Sequence, residues 1–106
     1  MLNRESAITL VKDFVSDLNQ TGLHLRKAIL FGSYARSQQN EWSDIDVALV
    51  ADEFIGVPVI DLNYFIKIKL KKSYTIIQPQ TFSTEYFNQS DPFIEEIKQN
   101  GLNVML

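Results

Sequence analysis

Residues 31–47 read FGSYARSQQNEWSDIDV and contain two motifs separated by a polar loop. The first motif, Gly32-Ser33, directly follows a run of apolar residues that ends at Phe31. The second, Asp44-Ile45-Asp46, opens another apolar run. Short apolar runs bounded by turn residues are typical of buried β-strands. The sequence therefore predicts two strands, one ending and one beginning at a motif that can carry chemistry.

The Gly32-Ser33 turn has the features of an anion site. Glycine lets the backbone approach a ligand without a Cβ in the way, and Ser33 to Ser37 can form a helical turn. Backbone N–H groups at a helix N-terminus attract anions, and the helix dipole adds roughly 0.3–1 kcal/mol. The Ser33 hydroxyl and the Arg36 guanidinium, one turn later, can both reach a phosphate. A Gly-Ser pair is also common in ordinary turns, so this motif alone leaves both interpretations open.

The two aspartates are predicted to share one face of a strand. Residues two apart in a strand project to the same side, so Ile45 and Val47 point the other way, into the core. Two adjacent carboxylates raise each other's pKa unless a cation lies between them, and Mg²⁺ prefers such oxygen ligands. The alternative is an exposed edge strand with two solvated aspartates. The apolar strand and the Gly-Ser turn upstream favour the metal site, with Asp44 and Asp46 as ligands.

The remaining pattern predicts helices around a small sheet. Residues 66–70 alternate apolar residues with lysines, so the end of the helix predicted at Val57–Leu70 would also suit a strand. The predicted fold class is α/β (α+β), a small mixed β-sheet flanked by helices, in one domain over residues 1–106. The predicted elements are a helix from Asn3 to near Gly22, strands at Lys27–Phe31 and Asp44–Ala51, a helix at Val57–Leu70, a strand at Tyr74–Ile77 stopped by Pro79, a helix opened by Asp91-Pro92 and ended by Asn100-Gly101, and an edge strand at Asn103–Leu106.

Composition narrows the functional classes. The absence of cysteine excludes disulfides and cysteine-based metal sites. A net charge of −3 disfavours non-specific nucleic-acid binding, which needs a positive field. Because no apolar run approaches a membrane span and the N-terminus lacks signal-peptide features, we expect a cytoplasmic protein without a membrane partner. One basic cluster, either a solvated face or a phosphate-facing patch, consists of Lys67, Lys69, Lys71 and Lys72.

In combination, the motifs resemble a known signature. Gly32-Ser33, Ala35-Arg36 and Ser43-Asp44-Ile45-Asp46 in an apolar strand are similar to the core of the nucleotidyltransferase superfamily, the polymerase-beta-like fold. The resemblance is closest to the minimal, MNT-type domains. Ile77–Phe82 resembles the exit of a later strand in those domains, and Asp91–Gly101 resembles their last helix.

The resemblance implies a reaction. Gly32 and Ser33, with Arg36, would bind the triphosphate of ATP or another NTP, and Asp44 and Asp46 would be the catalytic carboxylates that hold Mg²⁺ or Mn²⁺. A nucleoside monophosphate, AMP above all, would pass to a hydroxyl while pyrophosphate leaves. The resemblance also implies a HEPN-type helical partner, a toxin that the chain would counteract as antitoxin by placing AMP on it. The sequence also leaves open whether the chain forms a homo-oligomer.

One departure from the family pattern leaves a second interpretation. Active members carry a third carboxylate on the later strand, whereas Ser73–Gln78 contains none, and the expected position falls on Tyr74 or Thr75. The alternative is thus a catalytically weak or inactive antitoxin or binding module of the same fold. Tyr34 and Trp42 flank the predicted site and suit either packing or stacking on a base. Three other carboxylates could replace the missing one, although for each we favour a solvated position on the surface. They are Asp52, Glu53 and Asp61.

Overall fold

The computed structural model describes residues 2–89 and 91–105. It confirms the predicted fold class, because one small mixed sheet is flanked by helices. The elements in chain order are α1 (Arg4–Asn19), β1 (Leu25–Phe31), α2 (Gly32–Ala35), β2 (Ile45–Ala51), α3 (Pro58–Asp61), a 3-10 turn (Leu62–Tyr64), α4 (Ile66–Lys69), a second 3-10 turn (Lys72–Tyr74), β3 (Ile77–Ser83), α5 (Thr84–Phe87), α6 (Pro92–Asn100) and β4 (Leu102–Asn103).

The sheet has four strands in the order β3-β2-β1-β4. Strand β1 runs antiparallel to both of its neighbours, whereas β2 and β3 are parallel. In the β1–β2 pair Phe31 lies opposite Asp46, and Leu30 lies opposite Val47. The end of β1 and the start of β2 therefore meet at the same end of the sheet.

Each face of the sheet has its own apolar core. On one face α1 and the segment between β2 and β3 cover Leu30, Ile45 and Val47, all of which are fully buried. On the other face α5 and α6 cover a second cluster that includes Ala48 and Val50. Burial of Ile45 and Val47 confirms that the residues flanking Asp46 point into the core. Burying one such aliphatic side chain contributes about 1.5–3 kcal/mol.

The longest two helices begin and end as predicted. The Asn3 side chain caps α1 by accepting a hydrogen bond from the Ser6 N–H at 2.8 Å. Asp91 caps α6 by accepting from the Phe93 N–H, also at 2.8 Å, and Pro92 occupies the first turn. These caps satisfy N–H groups that have no acceptor inside the helix. Among the described residues, no helix has both the length and the apolar character needed to cross a membrane.

The helix predicted over Val57–Leu70 is wrong as a continuous element. The chain instead forms three short turns, and the solvated position expected for Asp61 is also wrong, because its residue is 1% exposed. The Asp61 carboxylate accepts hydrogen bonds from the N–H groups of Ile55 (3.0 Å) and Gly56 (2.9 Å) and from the Thr81 hydroxyl (2.7 Å). These bonds tie the segment to β3, and the helical turns are interrupted at Phe65, whose φ of −144° is not helical.

The strand predicted at Tyr74–Ile77 is also wrong in its position. Strand β3 starts at Ile77 and runs through Pro79 to Ser83. It lies at the edge of the sheet and has no partner strand on its outer side. An edge strand tolerates proline, which has no N–H to donate to a neighbouring strand. The β4 strand at Leu102–Asn103 confirms an edge strand beside β1, shorter than predicted, and Leu106 lies outside the described residues.

Tyr74 belongs to a 3-10 turn that packs on α1. Its hydroxyl donates a hydrogen bond to the Asp17 carboxylate at 2.7 Å, and its ring packs edge-on against Phe14. Burial and the adjacent Asp17 raise the pKa of Tyr74 to about 12. Tyr74 therefore stabilises the first core and does not stand beside Asp46.

We expect Asp61→Ala to lower the free energy of unfolding by about 2–4 kcal/mol, because two backbone N–H groups and the Thr81 hydroxyl would lose their acceptor. Urea denaturation followed by circular dichroism measures the change. Glu41→Ala, at an exposed loop position, is the control and should change it by less than about 0.5 kcal/mol. Equal losses in the two variants would contradict the anchoring role of Asp61.

Candidate functional site

Gly32 lies directly against Asp46. It follows Phe31, which pairs with Asp46 across β1 and β2, and its φ of +74° lies in the left-handed region. A Cβ added to Gly32 would overlap the Asp46 carboxylate and would lie 3.2 Å from its Cγ. Both the conformation and the space therefore require glycine. The predicted phosphate-binding turn and a predicted metal ligand are thus brought into contact.

The turn after Gly32 is the single helical turn α2. The Arg36 N–H donates to the Gly32 carbonyl at 3.2 Å, and the Gln38 N–H donates to the Ser33 carbonyl at 2.8 Å. Ser33 is half-buried at the start of this turn, whereas Arg36 is exposed at its end. The first N–H groups of a helical turn have no acceptor within it, so they are available to an anion. The Arg36 Nε donates to the Gln38 side-chain oxygen at 3.3 Å, so the shared role of Gly32, Ser33 and Arg36 around one anion stays a prediction.

Asp44 and Asp46 stand at the start of β2. Asp44 is exposed just before the strand, and Asp46 is half-buried as its second residue. Burial raises the pKa of Asp46 above its usual value, the Asp44 carboxylate raises it further, and Arg36 partly offsets both effects. Asp44 and Arg36 therefore lie within electrostatic range of Asp46. A cation between the two carboxylates would relieve their repulsion.

The donor set at this site suits a divalent ion that arrives with phosphate ligands. Over residues 2–89 and 91–105, no group of three or more His, Cys, Asp or Glu side chains is placed to hold a metal ion. Asp44 and Asp46 supply two carboxylates, and Mg²⁺ is commonly held by one or two carboxylates together with substrate phosphates and water. The Asp46 carboxylate lies where a Cβ of residue 32 would be, so one of its oxygens is in contact with the Gly32 turn.

The position beside Asp46 on the next strand is occupied by an amide. In the parallel β2–β3 pair, Asp46 lies opposite Gln78, and residues paired in this way face the same side of the sheet. Gln78, which is exposed, therefore takes the place where we expected Tyr74 or Thr75. An amide oxygen can coordinate a cation, but it carries no charge and takes up no proton. No residue of β3 is an aspartate or a glutamate.

An apolar cleft of about 160 Å³ opens beside Gly32. Its walls are formed by the end of β1, by α2 and by α6, and the Phe31 and Phe93 rings meet edge-on at 5.8 Å between centroids. Sequence analysis missed this feature, because α6 is distant in the chain from β1 and α2. The lining residues are Phe31, Gly32, Arg36, Phe93, Glu96, Ile97 and Asn100.

Two aromatic residues near the site have different environments. Tyr34 is buried in the first core, with 1% of its surface exposed, so packing is confirmed for this residue. Trp42 is 85% exposed in the loop before Asp44. Its ring is therefore accessible to a ligand or a partner.

The two carboxylates after β2 stand at the opposite end of that strand from Asp46. Asp52 accepts hydrogen bonds from Arg26 and from the Thr84 hydroxyl, and these partners lower its pKa to about 2. Glu53 pairs with His24 at 2.8 Å, which gives this histidine a partner that the sequence did not reveal. Both carboxylates belong to the surface, as predicted, and neither is placed to replace the third carboxylate.

The family follows from a match over most of the chain. Residues 14–105 match the family model described as "Polymerase beta, Nucleotidyltransferase". The chain belongs to this nucleotidyltransferase family. The resemblance inferred from the two motifs is thereby confirmed, and membership implies a nucleotide substrate.

Relatives of this nucleotidyltransferase occur in Methanocaldococcus jannaschii. One, named "Putative protein adenylyltransferase", is 38% identical over 92 residues that cover 83% of this chain and 82% of the relative. A second protein with the same description is 30% identical over 100 residues, covering 92% and 97%. A crystal structure of a "putative nucleotidyltransferase" from Sulfolobus solfataricus superposes with a TM-score of 0.66 over 94% of this chain and 80% of that one. At 17% identity it supports the fold.

We expect Asp46→Asn to raise the melting temperature at neutral pH. The pKa of Asp46 is higher in the folded state than in the unfolded state. Above the folded-state pKa the ionised carboxylate therefore lowers the stability of the fold, and below the unfolded-state pKa the carboxyl is protonated in both states and has no such effect. The gain in the variant should therefore shrink as the pH falls through this window. Thermal melts between neutral pH and about pH 3 measure the effect.

Asp17→Asn is the matched control with the opposite sign. Hydrogen bonds from Tyr74 and Lys71 lower the pKa of Asp17, so its charge stabilises the folded state above the unfolded-state pKa and this contribution is lost as the pH falls. The Asp17→Asn variant should melt below the wild type at neutral pH. If Asp46→Asn also melted below the wild type at neutral pH, the ionised Asp46 carboxylate would not be destabilising, and the prediction would be wrong.

Proposed function

We propose that this nucleotidyltransferase binds a Mg²⁺ or Mn²⁺ complex of ATP and transfers AMP to a hydroxyl group of a protein. The observation that carries the proposal is the contact between the Gly32 turn and the Asp46 carboxylate. It joins an anion-binding turn to a pair of metal-binding carboxylates, which is what a metal–triphosphate complex requires. The names of the two Methanocaldococcus relatives support AMP as the transferred group and a protein as the acceptor.

The side chains have separate roles in this proposal. The N–H groups after Gly32 and the Ser33 hydroxyl bind the triphosphate, and Arg36 neutralises part of its charge. Asp44 and Asp46 hold the divalent ion, which when bound supplies charge stabilisation at the phosphorus. The acceptor oxygen bonds to the α-phosphorus, the bond to the β-phosphate oxygen breaks, pyrophosphate leaves, and the hydroxyl proton passes to water.

The acceptor we propose is a HEPN-type helical protein in the cytoplasm. The chain, as a single minimal domain, would act as the antitoxin that modifies this toxin on a hydroxyl. This part rests on the resemblance to MNT-type domains.

A second candidate function is a nucleotide-binding or partner-masking module with weak catalysis. It is favoured by Gln78, which stands beside Asp46 where a third carboxylate would take part in activating the nucleophile. The Gly32–Asp46 contact is intact in this case, so nucleotide binding is common to both candidates. Turnover separates them.

We expect calorimetry to detect ATP binding that depends on Mg²⁺. The double variant Asp44→Ala/Asp46→Ala should weaken it by roughly 100-fold or more, about 2.7 kcal/mol, because both metal-binding carboxylates are removed. The control is Asp52→Ala/Glu53→Ala, which removes two carboxylates from the other end of the same strand and should leave the affinity within about twofold. Failure of the folded wild type to bind ATP with Mg²⁺ would refute the proposed site.

We expect Gln78→Glu to increase the hydrolysis of Mg-ATP to AMP and pyrophosphate, with water as the acceptor, by roughly tenfold or more, because it places a carboxylate beside Asp46 that can accept a proton. Thr75→Asp adds a carboxylate before β3 begins and should give no increase. Equal rates in the two variants would show that the identity of residue 78 does not limit the reaction. An already rapid wild type that Gln78→Glu leaves unchanged would exclude the second candidate.

A further inference from the structure

Exposed apolar side chains are concentrated in one segment. Ten large apolar residues are exposed in the described part of the chain, and seven of them lie between residues 55 and 70. The most exposed of the seven are Val59, Leu70 and Ile55, at 75%, 72% and 62%. A cluster of this kind on a small protein usually marks an interaction site. We call residues 55–72 the basic apolar surface.

The backbone beneath this surface is firmly anchored. Asp61 is held by its three hydrogen bonds, and Phe65, which is 2% exposed, packs against Phe14 and Phe54 at about 6 Å between ring centroids. The buried residues of the segment thus fix its short turns, Leu62 and Ile68 pack partly on the first core, and seven apolar side chains are exposed. The surface is preformed, which lowers the entropic cost of binding a partner.

The charge of this surface differs from that of the rest of the chain. Residues 55–72 contain four of the ten Lys and Arg residues and one of the thirteen Asp and Glu residues, and that one acid, Asp61, is buried. The segment therefore has a formal charge of +3, and the remainder has −6. Lys71 pairs with Asp17 of α1 at 3.0 Å, and we assign the positive charge that a partner would meet to the other lysines. Lys67 and Lys72 are exposed at the C-terminal part of the segment. A binding partner should accordingly present carboxylates beside an apolar patch.

The basic apolar surface borders the candidate site. The Lys69 ammonium donates to the Thr75 carbonyl at 3.4 Å, and the carbonyl of the next residue, Ile76, accepts from the Ile45 N–H at 3.0 Å. Ile45 stands between the two site aspartates. Burial lowers the pKa of Lys69, and Asp44 opposes this shift, so the two charges are within electrostatic range. A protein that covers this surface would reach the carboxylate pair.

We propose that the basic apolar surface docks the acceptor protein, through an apolar patch of that protein that is bordered by Asp and Glu side chains. The inference rests on the proposed function, since it assigns a place to the protein acceptor. Docking here would hold an acceptor hydroxyl near Asp44 and Asp46. The binding energy would then offset part of the entropic cost of bringing the two reactants together.

A second copy of this chain fits the surface less well. A two-fold symmetric dimer through residues 55–72 would place the lysines of one copy opposite those of the other. Pairing the surface with the acidic remainder of another copy gives a head-to-tail contact, which forms open chains unless its rotation closes a ring. An anionic membrane would suit one continuous amphipathic helix better than these four-residue turns.

The test uses a fluorescent helical peptide with a stripe of leucines, flanking glutamates and one tyrosine, together with a matched peptide in which lysines replace the glutamates. Fluorescence anisotropy without nucleotide should show binding of the acidic peptide and at least roughly tenfold weaker binding of the basic one. Val59→Ser/Leu70→Ser and Lys67→Glu/Lys72→Glu should each weaken binding of the acidic peptide by roughly tenfold. The charge control, Lys12→Glu/Lys27→Glu, reverses two exposed lysines elsewhere and should have less than about twofold effect.

Several outcomes would overturn the docking surface. These are no binding of the acidic peptide, equal binding of both peptides, or equal effects of the two lysine double variants. A wild-type dimer that Val59→Ser/Leu70→Ser dissociates in sedimentation would assign the surface to a second copy. A further outcome is that the wild type floats with phosphatidylcholine–phosphatidylserine vesicles. If Val59→Ser/Leu70→Ser abolished this flotation, the surface would be assigned to membrane binding.

Calorimetry with Mg-ATP separates this inference from the proposed function. Lys67→Glu/Lys72→Glu should bind Mg-ATP as the wild type does, because neither lysine belongs to the nucleotide site. Expected peptide binding without any binding of Mg-ATP would refute the transfer reaction and leave the docking surface standing. The reverse result would refute the docking surface alone.

Discussion

The register between β1 and β2 is the constraint on which the rest of the molecule depends. Pairing Phe31 with Asp46 sets the Gly32 turn against a carboxylate and buries Ile45 and Val47 in the first core. A shift of one residue would exchange the two faces of β2, so that Asp46 would enter an apolar core and Ile45 would face the site. The burial of charge in such a core is far more costly than any gain at the turn. The same packing that stabilises the sheet therefore assembles the site.

The site itself works against stability. Burial and the neighbouring Asp44 both disfavour the ionised form of Asp46. Such local costs are common where a protein must bind a charged ligand, and they are offset by packing elsewhere. Here the two apolar cores, one on each face of the sheet, provide that packing. A bound cation would remove much of the unfavourable interaction between the carboxylates.

Asp61 connects the fold to the proposed partner surface. Its carboxylate binds two N–H groups at the start of the segment after β2 and the Thr81 hydroxyl in β3, and so anchors a segment whose helical turns are interrupted at Phe65. A single helix would bury one apolar stripe, whereas the turns bury Phe65 and leave several aliphatic side chains outside. The buried Asp61 and Phe65 thus hold in place the segment that carries the exposed apolar residues.

The amino-acid sequence by itself determined the features that depend on near neighbours. Gly32-Ser33 marked the turn, and Asn3 and Asp91-Pro92 marked helix starts, because each involves only a few adjacent residues. The spacing of Asp44 and Asp46 predicted one shared strand face, and the structure has Asp46 in β2 and Asp44 just before it. Even the family could be recognised from these motifs.

The tertiary structure alone decided what depends on distant residues. Gln78 rather than Tyr74 or Thr75 stands beside Asp46, because the start of β3 is set by its pairing with β2 and by the bond between Tyr74 and Asp17. The cleft between Phe31 and Phe93 exists because α6 packs back on the sheet. Periodicity and propensity describe one segment at a time, so they contain no information about such contacts.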